Sequence, residues 1–233
     1  MKKIYTLLIT LILISCNQEK TTYYKNIDSG EILTELEYSN LGNEIAEKYG
    51  NDSLDLKIEF SLKKNYSSKD SLIQPFGIDV RIGENYIISS SNRDKIYELI
   101  GESLPDFELK TINGTFISKT DILQKPCLIN FWFTQCPPCI EEIPDLNRLK
   151  EQYSDKVNFI AITFDNKMEL SDFLKKTKFD FIHIIDAQNY IDNIGVRAFP
   201  KNVFIDKNGK IKLIENGLSN NYEQFEKYLN DLL

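Results

Sequence analysis

Histidine is nearly absent from this chain. His183 is the only one, and four cysteines stand at positions 16, 127, 136 and 139. That is too thin a set for zinc, which takes four ligands: a Cys136–Cys139 pair would have only Cys127 and His183 to complete it. His183 itself lies in the apolar run Phe181–Ile185 and reads as a packed or edge residue. Positive charge is also short, with 28 Lys and Arg against 35 Asp and Glu for a net charge of -7. Without a basic stripe to neutralise phosphates, nucleic acid is excluded as a partner. The apolar stretch Ile4–Ile14, broken by Tyr5, Thr6 and Thr10, is shorter than the ~20 residues a membrane-spanning helix needs. The remaining composition, 42% hydrophobic and 27% charged over 233 residues, is ordinary. It allows a packed core in one large domain or two small ones.

The N-terminus reads as a targeting segment. Lys2 and Lys3 precede the apolar stretch, as in a secretory signal peptide. The stretch ends Leu13-Ile14-Ser15-Cys16, which resembles the lipobox of bacterial lipoproteins. The resemblance implies a signal peptide at 1–15, cleavage before Cys16, and a lipid-modified Cys16 thiol. Residues 16–26 then read as a polar lipidated tether. Several acyl chains on Cys16 would hold the protein at a membrane, whereas one chain would not. The rest of the chain would then work in the cell envelope, outside the cytoplasm, where disulfides persist. The alternative is a secreted protein with a free thiol at Cys16.

Cys127 sits in an apolar run, so a buried, inert thiol is expected there. That leaves Cys136-Pro137-Pro138-Cys139. Before it lies the strand-like run Cys127–Phe133, and after it comes the helical spacing Ile140, Ile143, Leu146, Leu149 and Tyr153. A C-x-x-C between a strand and a helix is the arrangement of a reactive dithiol.

The chain divides in two around it. Residues 27–100 read as a small α+β or β-rich region. It has a weak helical pattern through Gly50, alternation from Leu54 to Leu62, a polar break at 67–75, and a hairpin of Ile78–Ile82 with Tyr86–Ile88. A short helix follows at 94–100. This region carries no motif, and a scaffold or docking surface is expected. From Gly101 strands alternate with helices. A strand at Phe107–Leu109 turns at Asn113-Gly114, and Ser118 can cap a helix with Asp121 at the capping-box position. Strands follow at 157–164 and 181–185, helices at 168–176 and 189–194, and a hairpin around Asn208-Gly209. A helix at 222–233 closes the chain. The class is α/β, a mixed sheet with helices on both faces.

That order, with Asn130-Phe131-Trp132-Phe133-Thr134-Gln135-Cys136-Pro137-Pro138-Cys139, Glu142, Pro144 and Phe199-Pro200, resembles the thioredoxin fold. Over Gly101–Leu233 it is most similar to the membrane-anchored TlpA/ResA-like thiol:disulfide oxidoreductases of the AhpC/TSA–redoxin superfamily. The resemblance implies an exposed nucleophile at Cys136, a resolving Cys139, and no cofactor beyond their disulfide. It makes Glu142 an acid that moves protons at the dithiol and Pro200 a cis-proline beside it. Phe199, Lys201, Gln135 and Pro137 would line the partner-facing rim. Implied partners are thiols and disulfides of exported proteins, such as an apocytochrome during heme attachment, and a membrane protein that donates electrons through thiols.

Local chemistry adds detail. Pro138 disfavours helical angles at Pro137, so the helix is expected to begin at Pro138. Cys136 then lies beside unpaired N–H groups, with Cys139 N–H as the main donor to its sulfur. Two residues depart from the family pattern. Gln135 stands where Trp is common, and Lys201 where Thr or a small residue is common. Asn130 occupies the strand position where other thioredoxins carry the acid.

Other readings remain open at this point. Glu142 could be a solvated neighbour of Glu141, and Pro200 an ordinary proline at the start of a strand. The pair could be a structural disulfide in a non-catalytic binding lipoprotein. A thiol peroxidase fits less well: Pro105-Asp106-Phe107 resembles peroxiredoxins, but no cysteine has Thr three positions before it.

Overall fold

The computed structural model describes residues 20–50, 55–68, 70–88, 94–218 and 222–233. The expected signal peptide and Cys16 lie outside the described residues. The N-terminal elements are β1 (Thr21–Asn26), β2 (Ile32–Leu33), α1 (Glu35–Tyr49), β3 (Leu56–Leu62), β4 (Tyr66–Ser68), β5 (Ser71–Ile82) and β6 (Asn85–Ile88). β5 is the centre of their sheet. It pairs parallel with β1 and antiparallel with β3, β4 and β6, and β2 flanks β1. α1 begins where Thr34 and Glu37 form a capping box. It packs Ile45, Tyr38 and Leu41 on Phe76, Ile78 and Val80, which share one face of β5 by the two-residue period of a strand.

Two expectations are corrected here. Thr21–Asn26 is a strand rather than tether, because its polar residues find partners: Lys25 is buried and ion-paired with buried Glu215. The polar break at 67–75 is largely strand as well. Strands pair with this stretch along its backbone, and Gln74 donates its side-chain amide to Lys63 O at 2.6 Å. Backbone pairing overrides the polar side chains.

A 3₁₀ turn at Lys95–Leu99 leads into the second unit. This comprises β7 (Glu108–Lys110), β8 (Phe116–Ser118), α2 (Lys119–Ile122), β9 (Cys127–Phe131), α3 (Pro137–Tyr153), β10 (Asn158–Ile162) and α4 (Lys167–Leu174). It continues through β11 (Ile182–Ile184), α5 (Gln188–Ile194), β12 (Lys201–Ile205), β13 (Ile211–Glu215) and α6 (Tyr222–Leu232). The central sheet runs β11-β10-β9-β12-β13, with β9, β10 and β11 parallel and β12 antiparallel to both neighbours. The mixed α/β sheet predicted from the sequence is the one observed.

Alternation decides what each face holds. Cys127, Ile129 and Phe131 point to the side of α5, together with Val203, Ile205, Ile96 and Tyr97. Leu128, Trp132 and Phe204 point to the side of α3 and α6, against Ile143, Leu146, Leu149, Phe225 and Leu229. The N-terminal unit reaches the α5 side, where Ile27 joins the core. The buried Lys25–Glu215 pair ties β1 to β13, the end strand of the central sheet. Removing one partner of a buried pair strands the other charge, so Lys25→Ala should lower stability by ~3–5 kcal/mol, read from urea unfolding midpoints. Lys25→Met with Glu215→Leu should recover most of that loss; a single mutant near wild-type stability would show that the pair is not holding the units together.

Candidate functional site

β9, the middle strand of the sheet, ends at Phe131, and residues 132–136 carry the chain from its C-terminal end into α3. Asp165, which follows β10, holds this crossing by accepting the Thr134 N–H at 2.7 Å and the Thr163 hydroxyl at 2.9 Å. Cys136 is the N-cap of α3, and Pro137 and Pro138 occupy its first two positions. The helix thus starts one residue earlier than predicted. The N–H groups at both positions lack intrahelical partners in any helix, so two prolines remove nothing the helix uses.

Cys136 and Cys139 form a disulfide with Cα atoms 5.3 Å apart, and Cys139 N–H donates to Cys136 Sγ at 3.3 Å. The predicted donor is the observed one. The predicted exposure of Cys136 is not observed, since it is only 3% accessible. As N-cap, its side chain folds back over the helix mouth, leaving Gln135, Pro137 and Pro138 exposed around it. Cys127 is fully buried, and burial pushes its thiol well above the ordinary range, so it is inert.

Glu142 follows Cys139 by three residues on the buried stripe of α3. It is 2% exposed, which removes the solvated alternative. Its carboxylate accepts from Asn130 Nδ2 at 2.7 Å, from Asn202 Nδ2 at 3.2 Å, and from the Leu218 N–H at 2.8 Å. Burial raises its pKa from 4.5 to about 7, and the three donors oppose that rise without cancelling it. An acid on the helix therefore faces an amide at the strand position where other thioredoxins carry theirs.

The Phe199-Pro200 bond is cis. Phe199 packs edge-on against Phe133 and Phe164, 5.5 and 5.9 Å between centroids, and touches the apolar cluster that holds both cysteines. A Cβ added at Gly217 would meet Pro200 Cγ at 3.7 Å and Glu142 Oε2 at 3.8 Å. The bare backbone at Gly217 thus separates the proline from the acid. Lys201 is not on the rim. It is 1% exposed, and as the first residue of β12 it points to the α5 face, where Nζ meets Asp94 Oδ2 at 2.6 Å. His183 is buried in the core, with Nε2 2.8 Å from Phe179 O.

Sequence reasoning missed Asn202, Gly217, the Leu218 N–H and Asp165. Asn202 alone had a usable signal: two residues past Pro200 on an apolar strand, an amide needs a polar partner. No cluster of metal-ligating side chains occurs among the described residues.

A disulfide at a helix mouth, a cis-proline loop and a buried carboxyl, all on this sheet, define a thioredoxin-fold dithiol oxidoreductase. Comparison with known proteins gives the same class. The AhpC/TSA family model matches residues 100–214. The chain is 30% identical over 131 residues to the thioredoxin-like protein YneN of Bacillus subtilis, covering 54% of this chain and 77% of that one. It is 34% identical over 127 residues to the thiol-disulfide oxidoreductase ResA of Geobacillus thermodenitrificans, covering 53% and 73%. The chain therefore belongs to the TlpA/ResA-like thiol:disulfide oxidoreductases. A solved structure of a putative thiol:disulfide interchange protein DsbE from Chlorobium tepidum shares the fold. It superposes with a TM-score of 0.54 at 24% identity over 57% of this chain and 98% of its own. The family match starts at residue 100, so the N-terminal sheet lies outside it.

Proposed function

We propose that this oxidoreductase is a lipoprotein anchored through Cys16 that reduces or exchanges disulfides in exported proteins. Apocytochromes during heme attachment are one such client class. The Leu13-Ile14-Ser15-Cys16 run supports the anchor, and the observation that carries the exchange chemistry is Glu142, a buried carboxyl with a pKa of about 7 one helical turn beyond Cys139.

In the reducing direction, the Cys136 thiolate attacks a client disulfide sulfur, and one client thiolate leaves and takes a proton. The Cys139 thiol then gives its proton to the Glu142 carboxylate and attacks the Cys136 sulfur. The second client sulfur leaves as a thiol, and the Cys136–Cys139 disulfide remains. The client gains two electrons and two protons. A membrane thiol donor restores the dithiol by the reverse exchange. Phe199, Pro200, Pro137 and Gln135 form the surface on which a client strand is held.

The test expresses the full chain in a bacterium. Wild type is expected in the membrane fraction with Cys136 and Cys139 as thiols, and Cys16→Ser in the soluble fraction. Thiol labelling and fractionation read both. Soluble wild type would remove the anchor, and a persistently oxidised pair would remove the reducing direction.

A further inference from the structure

We propose that Asp94 is a positioning residue for the client-binding loop, and that the N-terminal segment leading into the second unit therefore sets substrate recognition. The proposal rests on the reading of Phe199-Pro200 as that loop. The loop runs without regular structure from the end of α5 at Ile194 to the start of β12 at Lys201. Asp94 grips it on both sides of the cis bond. Oδ1 accepts the N–H groups of Arg197 and Ala198, the latter at 3.1 Å, and Oδ2 pairs with Lys201 Nζ at 2.6 Å. Asp94 is 6% exposed and Lys201 1%.

The next residues continue the clasp. Ile96 N–H donates to Gly195 O at 3.4 Å, and Gly195 has φ 82°, a conformation glycine adopts freely. A Cβ at Gly195 would lie 2.7 Å from Lys95 Cβ, so the segment and the loop touch with no room for a side chain. Beyond the loop, Lys201 Nζ sits 5.0 Å from the Tyr97 ring centroid and bonds Asn216 Oδ1. Asn216 in turn accepts from the Tyr97 hydroxyl at 2.8 Å.

Residues 94–97 thus contact the loop at its beginning, at both amides before the cis bond, and at the lysine after it. Only a carboxylate supplies two oxygens to two amides and an ammonium while balancing the buried charge. This explains why lysine follows the proline here: its partner comes from outside the thioredoxin fold. Disulfide exchange needs the attacked sulfur held in line with Cys136, so a shift in this loop costs binding geometry.

The test uses the full chain, with steady-state reduction of two probes sustained by a small dithiol as electron donor, each rate corrected for the donor's own reaction with the probe. One is a disulfide-bonded peptide, which needs the loop, and the other is dithiobis(nitrobenzoate), a small disulfide that does not. Asp94→Asn is expected to raise KM for the peptide roughly tenfold. Its kcat, and its rate with the small probe, should stay within about twofold. Asp94→Asn with Lys201→Met removes both buried charges of this pair and should show the same peptide KM as Asp94→Asn; it gives the reading if the single variant fails to fold. A folded variant with unchanged peptide KM, or equal losses on both probes, overturns the proposal. Pro200→Ala separates the two ideas. If it too leaves the peptide KM unchanged, the loop assignment fails and the proposal with it. If it raises KM while Asp94→Asn does not, only the role of Asp94 fails.

Discussion

Cys136→Ala is expected to abolish reduction of a protein disulfide such as insulin, by at least ~10³-fold, because the nucleophile of a set that acts as a unit is gone. Cys139→Ala should behave differently. Its first exchange needs only Cys136, whose sulfur accepts a hydrogen bond from the backbone N–H of residue 139 at 3.3 Å. That donor survives the substitution, and so does the helix mouth behind it. The first step therefore proceeds and the second cannot. The variant should accumulate a covalent one-to-one adduct with its client, seen on non-reducing gels and released by thiols. Cys127→Ser should leave turnover unchanged, since burial keeps that thiol protonated. Full turnover by Cys139→Ala, or adducts on Cys136→Ala, would reverse the assigned order of attack.

The second unit was legible because its signals are local. Strand periods, the capping box at Ser118, the Asn208-Gly209 turn and the C-x-x-C each act within a few residues, and their sum is consistent. The strength of Glu142 as a candidate was not legible. Its spacing from Cys139 puts it on the buried stripe, but the three donors that hold it come from β9, β12 and the stretch after β13. Lys201 misled for a related reason. Its neighbour Pro200 belongs to the client loop, yet the two-residue period of β12 turns Lys201 to one face and Asn202 to the other. What waits on the Lys201 face is Asp94, more than a hundred residues earlier, and no local pattern encodes that meeting. The stretch at 21–26 failed likewise, since Lys25 is polar in sequence and buried only because Glu215 is there.

Glu142→Gln tests the chemistry most directly, because its effect must depend on pH. With a pKa of about 7 in the folded chain against an ordinary 4.5, Glu142 holds its proton in the folded state over a range where the unfolded chain has lost it. Folding binds a proton in that window, so this group's contribution is fully present below pH 4.5 and is lost as pH rises through about 7. The shift corresponds to about 3 kcal/mol. The wild-type stability, minus that of Glu142→Gln, should therefore fall by about that amount between pH 4.5 and 8 in urea unfolding. The kinetic sign is opposite: only the ionised carboxyl can take the Cys139 proton. Resolution of the mixed disulfide should speed up with pH through about 7 in wild type. In Glu142→Gln it should run ~10²-fold slower at neutral pH, with that limb absent. A glutamine variant that is slower by one factor at every pH would make Glu142 a packing residue; losing the limb near 7 makes it the proton acceptor.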